Sequence, residues 1–195
     1  MSTMVRTKQF DQYAALDEAM ELFWERGYHA TSIQDLVDRL GVNRQSLYDT
    51  FGGKDELYLA ALERYRTLAS QPMHKALERE GPVREVLNRF FAEFLGNFLA
   101  GNWKGCFMVN ATAELAGQDE GVSRVCAANN RQVEAAFAGL IARGQQSGEI
   151  DASRPALPLA RFLVNTLNGL AVTAKATRDR KVLDQIVEVA LAALP

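Results

Sequence analysis

Thr31-Ser32-Ile33-Gln34-Asp35-Leu36-Val37-Asp38-Arg39-Leu40-Gly41-Val42-Asn43-Arg44-Gln45-Ser46-Leu47-Tyr48-Asp49-Thr50-Phe51 is the stretch on which the reading of this chain turns. Thr31 and Gln34 stand three apart, the spacing at which a hydroxyl and an amide cap a helix start reciprocally. Ile33, Leu36, Val37 and Leu40 then recur as one helical face. Gly41 ends that helix, and Asn43 is a natural N-cap for a third helix over 44–50. Leu36, Val37, Leu40, Val42 and Leu47 supply a small core, while Arg44, Gln45, Ser46 and Tyr48 project from the start of the third helix. Two helices packed through a few apolar side chains and a glycine turn, with polar groups left over on the second, make a helix-turn-helix. In such a motif an arginine can bond twice to guanine O6/N7, and a glutamine twice to adenine. The same spacing also describes an ordinary helical hairpin.

Outward from this stretch the period stays helical. Leu16, Met20, Phe23 and Gly27 place a stripe on a helix over 9–26, with Gly27 as its stop. Gly52-Gly53 breaks the chain before Lys54 opens a fourth helix carrying Leu57, Ala61 and Tyr65. Beyond residue 70 the faces broaden, as in Val86, Leu87, Phe90, Phe91, Phe94, Leu95 and Phe98. Further helices are predicted over 104–117, 120–147, 155–177 and 180–194, with a loop at Ser147–Asp151. Pro72, Pro82 and Pro155 are placed at breaks or first turns, where proline is tolerated. No alternating strand pattern occurs. The prediction is an all-α protein of about nine helices.

Composition narrows the class without naming it. The 195 residues are 48% apolar, enough for a sizeable core. No apolar run approaches the roughly 20 residues of a membrane span, and the polar N-terminus does not read as a signal peptide. Two cysteines in a chain of this length point to reduced thiols and a cytoplasmic address. His29 and His74, the two histidines, have no metal-ligand spacing with Cys, Asp or Glu, and Cys106 and Cys126 are too far apart for a zinc pair. No phosphate loop or nucleophile motif is present, so neither enzyme, metal nor cofactor is expected. Charge argues against nucleic acid: residues 1–60 hold six Lys/Arg against ten Asp/Glu, a net −4, where phosphate binding calls for a basic footprint.

Gly27-Tyr28-His29-Ala30-Thr31-Ser32-Ile33, Leu40-Gly41-Val42, Leu47-Tyr48-Asp49-Thr50-Phe51 and Lys54-Asp55-Glu56-Leu57 follow one another in register. Together they resemble the N-terminal domain of the tetracycline-repressor (TetR) family over about residues 8–66. The resemblance implies a DNA-binding domain at 6–66, with its helix-turn-helix at about 32–51. It implies an effector-binding and dimerisation domain at 67–195. It assigns Ser32 and Gln34 to phosphate or a base edge, Arg44, Gln45 and Ser46 to bases, Tyr48 to backbone or a thymine methyl, and Lys54 to a phosphate. Arg6 and Lys8 would add cations from an N-terminal arm. Asp49 departs from the pattern, facing either solvent or a neighbour such as Arg44 or Lys54. The implied function is a homodimeric regulator on double-stranded, pseudo-palindromic operator DNA, more often repressor than activator. A helical protein-interaction module is the alternative.

In the C-terminal region, 155–177 carries Leu159, Phe162, Leu163, Leu167, Leu170, Ala171 and Ala174, with Gly169 allowing close approach. The helix 180–194 adds Val182, Leu183, Ile186, Val187, Val189, Ala190 and Leu194. Both faces exceed the ~100° of a simple core stripe. They are either wholly internal or the seam of a homodimer. Trp103-Lys104-Gly105-Cys106-Phe107 would set Cys106 in the first turn of a helix, where the dipole and Lys104 favour thiolate. The Gly-Cys pair also resembles a branch of the family in which some members respond to reactive species. Cys106 is therefore either a sensor of electrophiles or a small buried hydrophobe, and Cys126 reads as core. Trp103 and Phe107 are candidates to line a small-molecule effector pocket, with Asn110 and Asn165 as its polar contacts.

Overall fold

The computed structural model describes residues 11–100 and 104–195; Arg6, Lys8 and Trp103 lie outside them. Among the described residues the chain forms helices α1 Gln12–Arg26, α2 Ile33–Leu40, α3 Arg44–Phe51, α4 Lys54–Leu77, α5 Val83–Ala100, α6 Phe107–Leu115, α7 Glu120–Ser147, α8 Ala156–Ala176 and α9 Arg180–Ala192, and no strand. They sort into two compact units, the first ending at Arg64 and the second beginning at Tyr65. No described helix is long and apolar enough to cross a membrane.

In the first unit, Asp11 caps α1 by accepting from the backbone N–H of Tyr13 and Ala14. Gly27 stops the helix at φ 84°, a value that carries no penalty without a Cβ. The buried face of α1 is Ala15, Ala19, Met20, Leu22 and Phe23, with Leu16 half-buried at its margin. Phe23 meets Tyr58 of α4 edge-on at 4.9 Å, and Leu36, Leu47, Leu57, Ala61 and Leu62 close the core. Val37, Leu40 and Val42 are only half-buried. The helix-turn-helix is thus held chiefly by Leu36 and Leu47 rather than by the five side chains the spacing suggested.

The cap of α2 differs from the expected one by a single residue. Ser32, not Thr31, is the N-cap, and Asp35, not Gln34, completes the box: the Ser32 hydroxyl accepts from Asp35 N–H while the Asp35 carboxylate accepts from Ser32 N–H. Thr31 is fully buried and its hydroxyl donates to Gly27 O at 2.7 Å. The turn after α1 has claimed that hydroxyl. Asn43 caps α3, its side chain accepting from Ser46 N–H at 2.8 Å.

The core of the second unit joins α5, α7, α8 and α9, with Leu87, Phe91, Phe137, Ile141 and Leu163 fully buried. Pro72 does not break α4 but lies inside it. The lost backbone bond is tolerated because Met73, Ala76 and Leu77, just beyond it, pack against this core. The start of α5 is capped from a distance. Glu149, in the loop after α7, accepts from Val83 N–H at 2.6 Å and Arg84 N–H at 2.7 Å, satisfying two donors that a helix leaves unpaired. The Arg84 guanidinium donates in turn to the backbone oxygens of Leu191, in the last turn of α9, and of Leu194 and Pro195 beyond it.

The broad faces of α8 and α9 divide between interior and surface. Leu159, Leu163, Leu167, Leu170, Ala171 and Ala174 face inward, as do Leu183, Val187, Ala190 and Leu194. Phe162, Val172, Val182 and Val189 are exposed, Val189 at 71%. A shallow groove runs between Phe162 and Thr166 of α8 and Val182, Ile186 and Val189 of α9.

Candidate functional site

The exposed surface of α3 carries Arg44, Gln45, Tyr48 and Asp49, with Ser46 half-buried beside its cap. Leu47 alone is buried in this helix of eight residues. Fixing it inward turns Gln45 and Asp49, two positions away, to the opposite side and Tyr48 to the flank, while Arg44 is exposed in the first turn. Tyr48 is 44% exposed. Its ring lies against the backbone at Gly53, 3.6 Å from where a Cβ would stand, so the glycine turn seats it. Gln34 and Ser32 are exposed at the start of α2.

Charges in this unit are arranged more tellingly than their sum. Arg26 pairs with Asp35 at 2.9 Å, Arg39 with Glu18 at 2.6 Å, and Arg64 with Asp17 through two bonds. The Ser32 hydroxyl and N–H, followed by Arg26, hold the Asp35 carboxyl below its ordinary pKa. Glu18 raises that of Arg39. Lys54 places its ammonium 3.9 Å above the Tyr28 ring, and the Tyr28 hydroxyl donates to Asp55. Arg44, by contrast, makes no ion pair among the described residues. Acid on α1 and α2 therefore neutralises cations elsewhere and leaves the arginine at the start of α3 available. Asp49 pairs with neither Arg44 nor Lys54; it accepts from Gln45 Nε2 at 2.7 Å. A partner one helical turn away is met without any movement of the backbone.

In the second unit Cys106 is the N-cap of α6, one position before the first turn, and makes no capping bond with its side chain. It is half-buried. The Tyr65 hydroxyl lies 3.7 Å from its Sγ, and Tyr65 stacks edge-on against Phe107 at 5.7 Å. Burial, then Cys106 itself, raises the Tyr65 phenol well above its ordinary range, so the hydroxyl remains a donor. Gly105 adopts φ 74°, and a Cβ there would come within 2.7 Å of Lys175 Cδ. The Lys175 stem thus crosses directly over the residue before the thiol.

Asn110 is committed to this corner. It donates to Lys104 O at 2.8 Å and accepts from Lys175 Nζ at 3.1 Å. Phe107 is buried, whereas Asn165 is exposed on α8 beside Phe162; with Leu163, Val164 and Leu167 turned inward, helical geometry sends it out. Cys126 is buried, and that burial raises its thiol pKa. The sequence reads Tyr65 only as part of the face of the fourth helix and gives no sign of Lys175: they stand 41 and 69 residues from Cys106 with no local pattern to connect them.

Comparison with known proteins agrees with this architecture in both units. Residues 15–61 match the bacterial regulatory proteins of the tetR family, and residues 85–190 match the tetracyclin repressor-like C-terminal domain. The HTH-type transcriptional regulator YezE of Bacillus subtilis (strain 168) is 35% identical, over 98% of this chain and 100% of its own length. The HTH-type transcriptional repressor ComR of Escherichia coli (strain K12) is 31% identical, over 95% of this chain and 88% of its own. Among solved structures, a cysteine mutant of the TetR family transcriptional regulator CifR, complexed with 26bp double-strand operator DNA, superposes with TM-score 0.85. It is 30% identical, and the match covers 97% of this chain and 100% of that one. With a capped helix-turn-helix, an all-helical second unit and both family matches in sequence order, this chain belongs to the TetR family of transcriptional regulators.

Proposed function

We propose that the chain acts in the cytoplasm, without enzymatic activity, as a homodimeric repressor that places two copies of α3 in successive major grooves of a pseudo-palindromic operator. The observation that carries this reading is the exposed face of α3, on which Arg44 has no ion pair among the described residues while Arg26, Arg39 and Arg64 are neutralised by carboxylates. Arg44, Gln45 and Ser46 meet base edges, Tyr48 meets backbone or a thymine methyl, and Ser32, Gln34 and Lys54 meet phosphate or the groove margin. The relative CifR, solved on operator DNA, and the relative ComR, a repressor by name, support it.

The dimer is formed by a second copy of this chain over the groove of α8 and α9. Phe162, Val172, Val182 and Val189 are apolar side chains left in water by the isolated chain, and a two-fold seam covers them with their own counterparts. Two reading helices then stand ~34–36 Å apart, one turn of B-DNA. Release follows from a small effector or from modification of Cys106. The half-buried thiol has a hydroxyl beside it and a lysine stem over its neighbouring glycine, so adduct formation there cannot leave that corner in place. A conformer with a different helix separation loses the operator.

The test is a salt titration of binding to duplex DNA from the gene's own upstream region. Affinity that falls steeply with salt, at one protected site, is expected. Salt-insensitive or absent binding overturns the DNA reading in favour of a protein-interaction module.

A further inference from the structure

Two glutamines on the proposed DNA face share one arrangement. Gln45 Nε2 donates to Asp49 Oδ1 at 2.7 Å along α3, and Gln34 Nε2 donates to Asp38 Oδ1 at 2.8 Å along α2. All four residues are exposed. An exposed amide–carboxylate bond between neighbours on a helix adds little to stability, while a carboxylate on a face that meets phosphates opposes binding. Helix stability therefore does not account for Asp49 at this position.

The effect of Asp49 on the amide does account for it. A primary amide has two N–H bonds. One lies on the same edge as the carbonyl oxygen, and that edge matches adenine N7 and N6 in the major groove. The other points back along the stem. The geometry points to Asp49 as a positioning residue that occupies one N–H of Gln45 and turns the donor–acceptor edge outward, so that Gln45 selects an A·T pair. This rests on reading α3 as the helix in the groove. Without the carboxylate the amide rotates, its oxygen and nitrogen exchange places, and the distinction between a base offering a donor and one offering an acceptor is lost. The charge adds to the selection, because guanine presents two acceptors on this edge and is repelled. Preorganisation of this kind lowers the cost of fixing a flexible side chain on binding.

The experiment uses the full chain and duplexes of its footprinted upstream site, each position changed in turn in both half-sites, with binding followed by fluorescence anisotropy. Wild type is expected to show one symmetry-related A·T pair whose replacement weakens binding about tenfold or more. Gln45→Ala abolishes that preference. Asp49→Ala reduces it to about threefold or less although Gln45 remains, and tightens binding to the replaced duplexes by removing a negative charge. Asp49→Asn, which keeps an accepting oxygen, retains the preference. Should Asp49→Ala bind every duplex tighter by one common factor, the carboxylate acts only through charge and the positioning role is overturned. Loss of preference in Asp49→Asn as well, or its survival in Gln45→Ala, overturns it too. Failure of wild type to bind any duplex overturns the underlying DNA reading instead, before any variant is measured.

Discussion

Replacing Glu149 by alanine removes the cap that α5 receives from the loop after α7. Two backbone donors, Val83 N–H and Arg84 N–H, lose a carboxylate at 2.6 and 2.7 Å. A hydrogen bond to a charged group contributes about 1.5–3 kcal/mol. Glu149 is only half-buried, so water reaches part of the vacated space and the lower end applies to each bond. The loss is then about 3 kcal/mol. At roughly 2–4 °C per kcal/mol for a chain of this size, the melting temperature falls by about 6–12 °C. Glu149→Gln keeps one accepting oxygen without charge, worth about 1 kcal/mol, and recovers about a third of the loss. Urea unfolding followed by circular dichroism, with amide exchange at Val83 and Arg84, measures both. A loss below about 1 kcal/mol in Glu149→Ala, or equal losses in the two variants, would refute the cap.

Other predictions concern the first unit and the surfaces that serve it. Because the folded state lowers the Asp35 carboxyl below its ordinary 3.8, its contribution is present above that value and is lost as pH falls through the folded one. Stability against urea should therefore separate wild type from Asp35→Asn at pH 6, and the gap should narrow below about pH 3.8. Arg44→Ala should weaken operator binding by ~1–3 kcal/mol and relax one base preference; an unaltered preference in anisotropy removes it from the reading set. Cys106→Ser should bind DNA normally yet fail to release it on treatment with an electrophile, as followed by gel shift, and persistent release places sensing elsewhere. Val189→Glu should shift the chain toward monomer in sedimentation equilibrium, since burying two unpaired carboxylates in one seam costs several kcal/mol; an unchanged dimer moves the seam away from α9.

The fold was legible because its signals are local. Gly27, Gly41 and Gly52 adopt positive φ where helices end, and Asn43 caps where the next begins. The cap of α2 was ambiguous for a physical reason: Thr31 with Gln34 and Ser32 with Asp35 both satisfy the spacing. The choice depends on where the Thr31 hydroxyl goes, which the turn at Gly27 decides. Pro72 misled because burial of the residues after it outweighs a lost backbone bond. Glu149 and Lys175 act across more than 60 residues, beyond the reach of any periodicity. Gln45 and Asp49, by contrast, stand at helical spacing, where an amide can reach a carboxylate as readily as a cation can.

The pairing of Arg39 with Glu18 and of Arg64 with Asp17 bears on how such a protein divides its time inside a cell. A genome offers some 10⁶–10⁹ competing sites, and attraction to them is almost wholly electrostatic. Cations already held by carboxylates on the same surface add little to that attraction. The unit therefore forgoes strength on bulk DNA and leaves a larger share of molecules unbound and able to search. Glu18→Gln, which releases Arg39, would lengthen residence on random sequence, and a regulator altered in that way would be slower to find its own site.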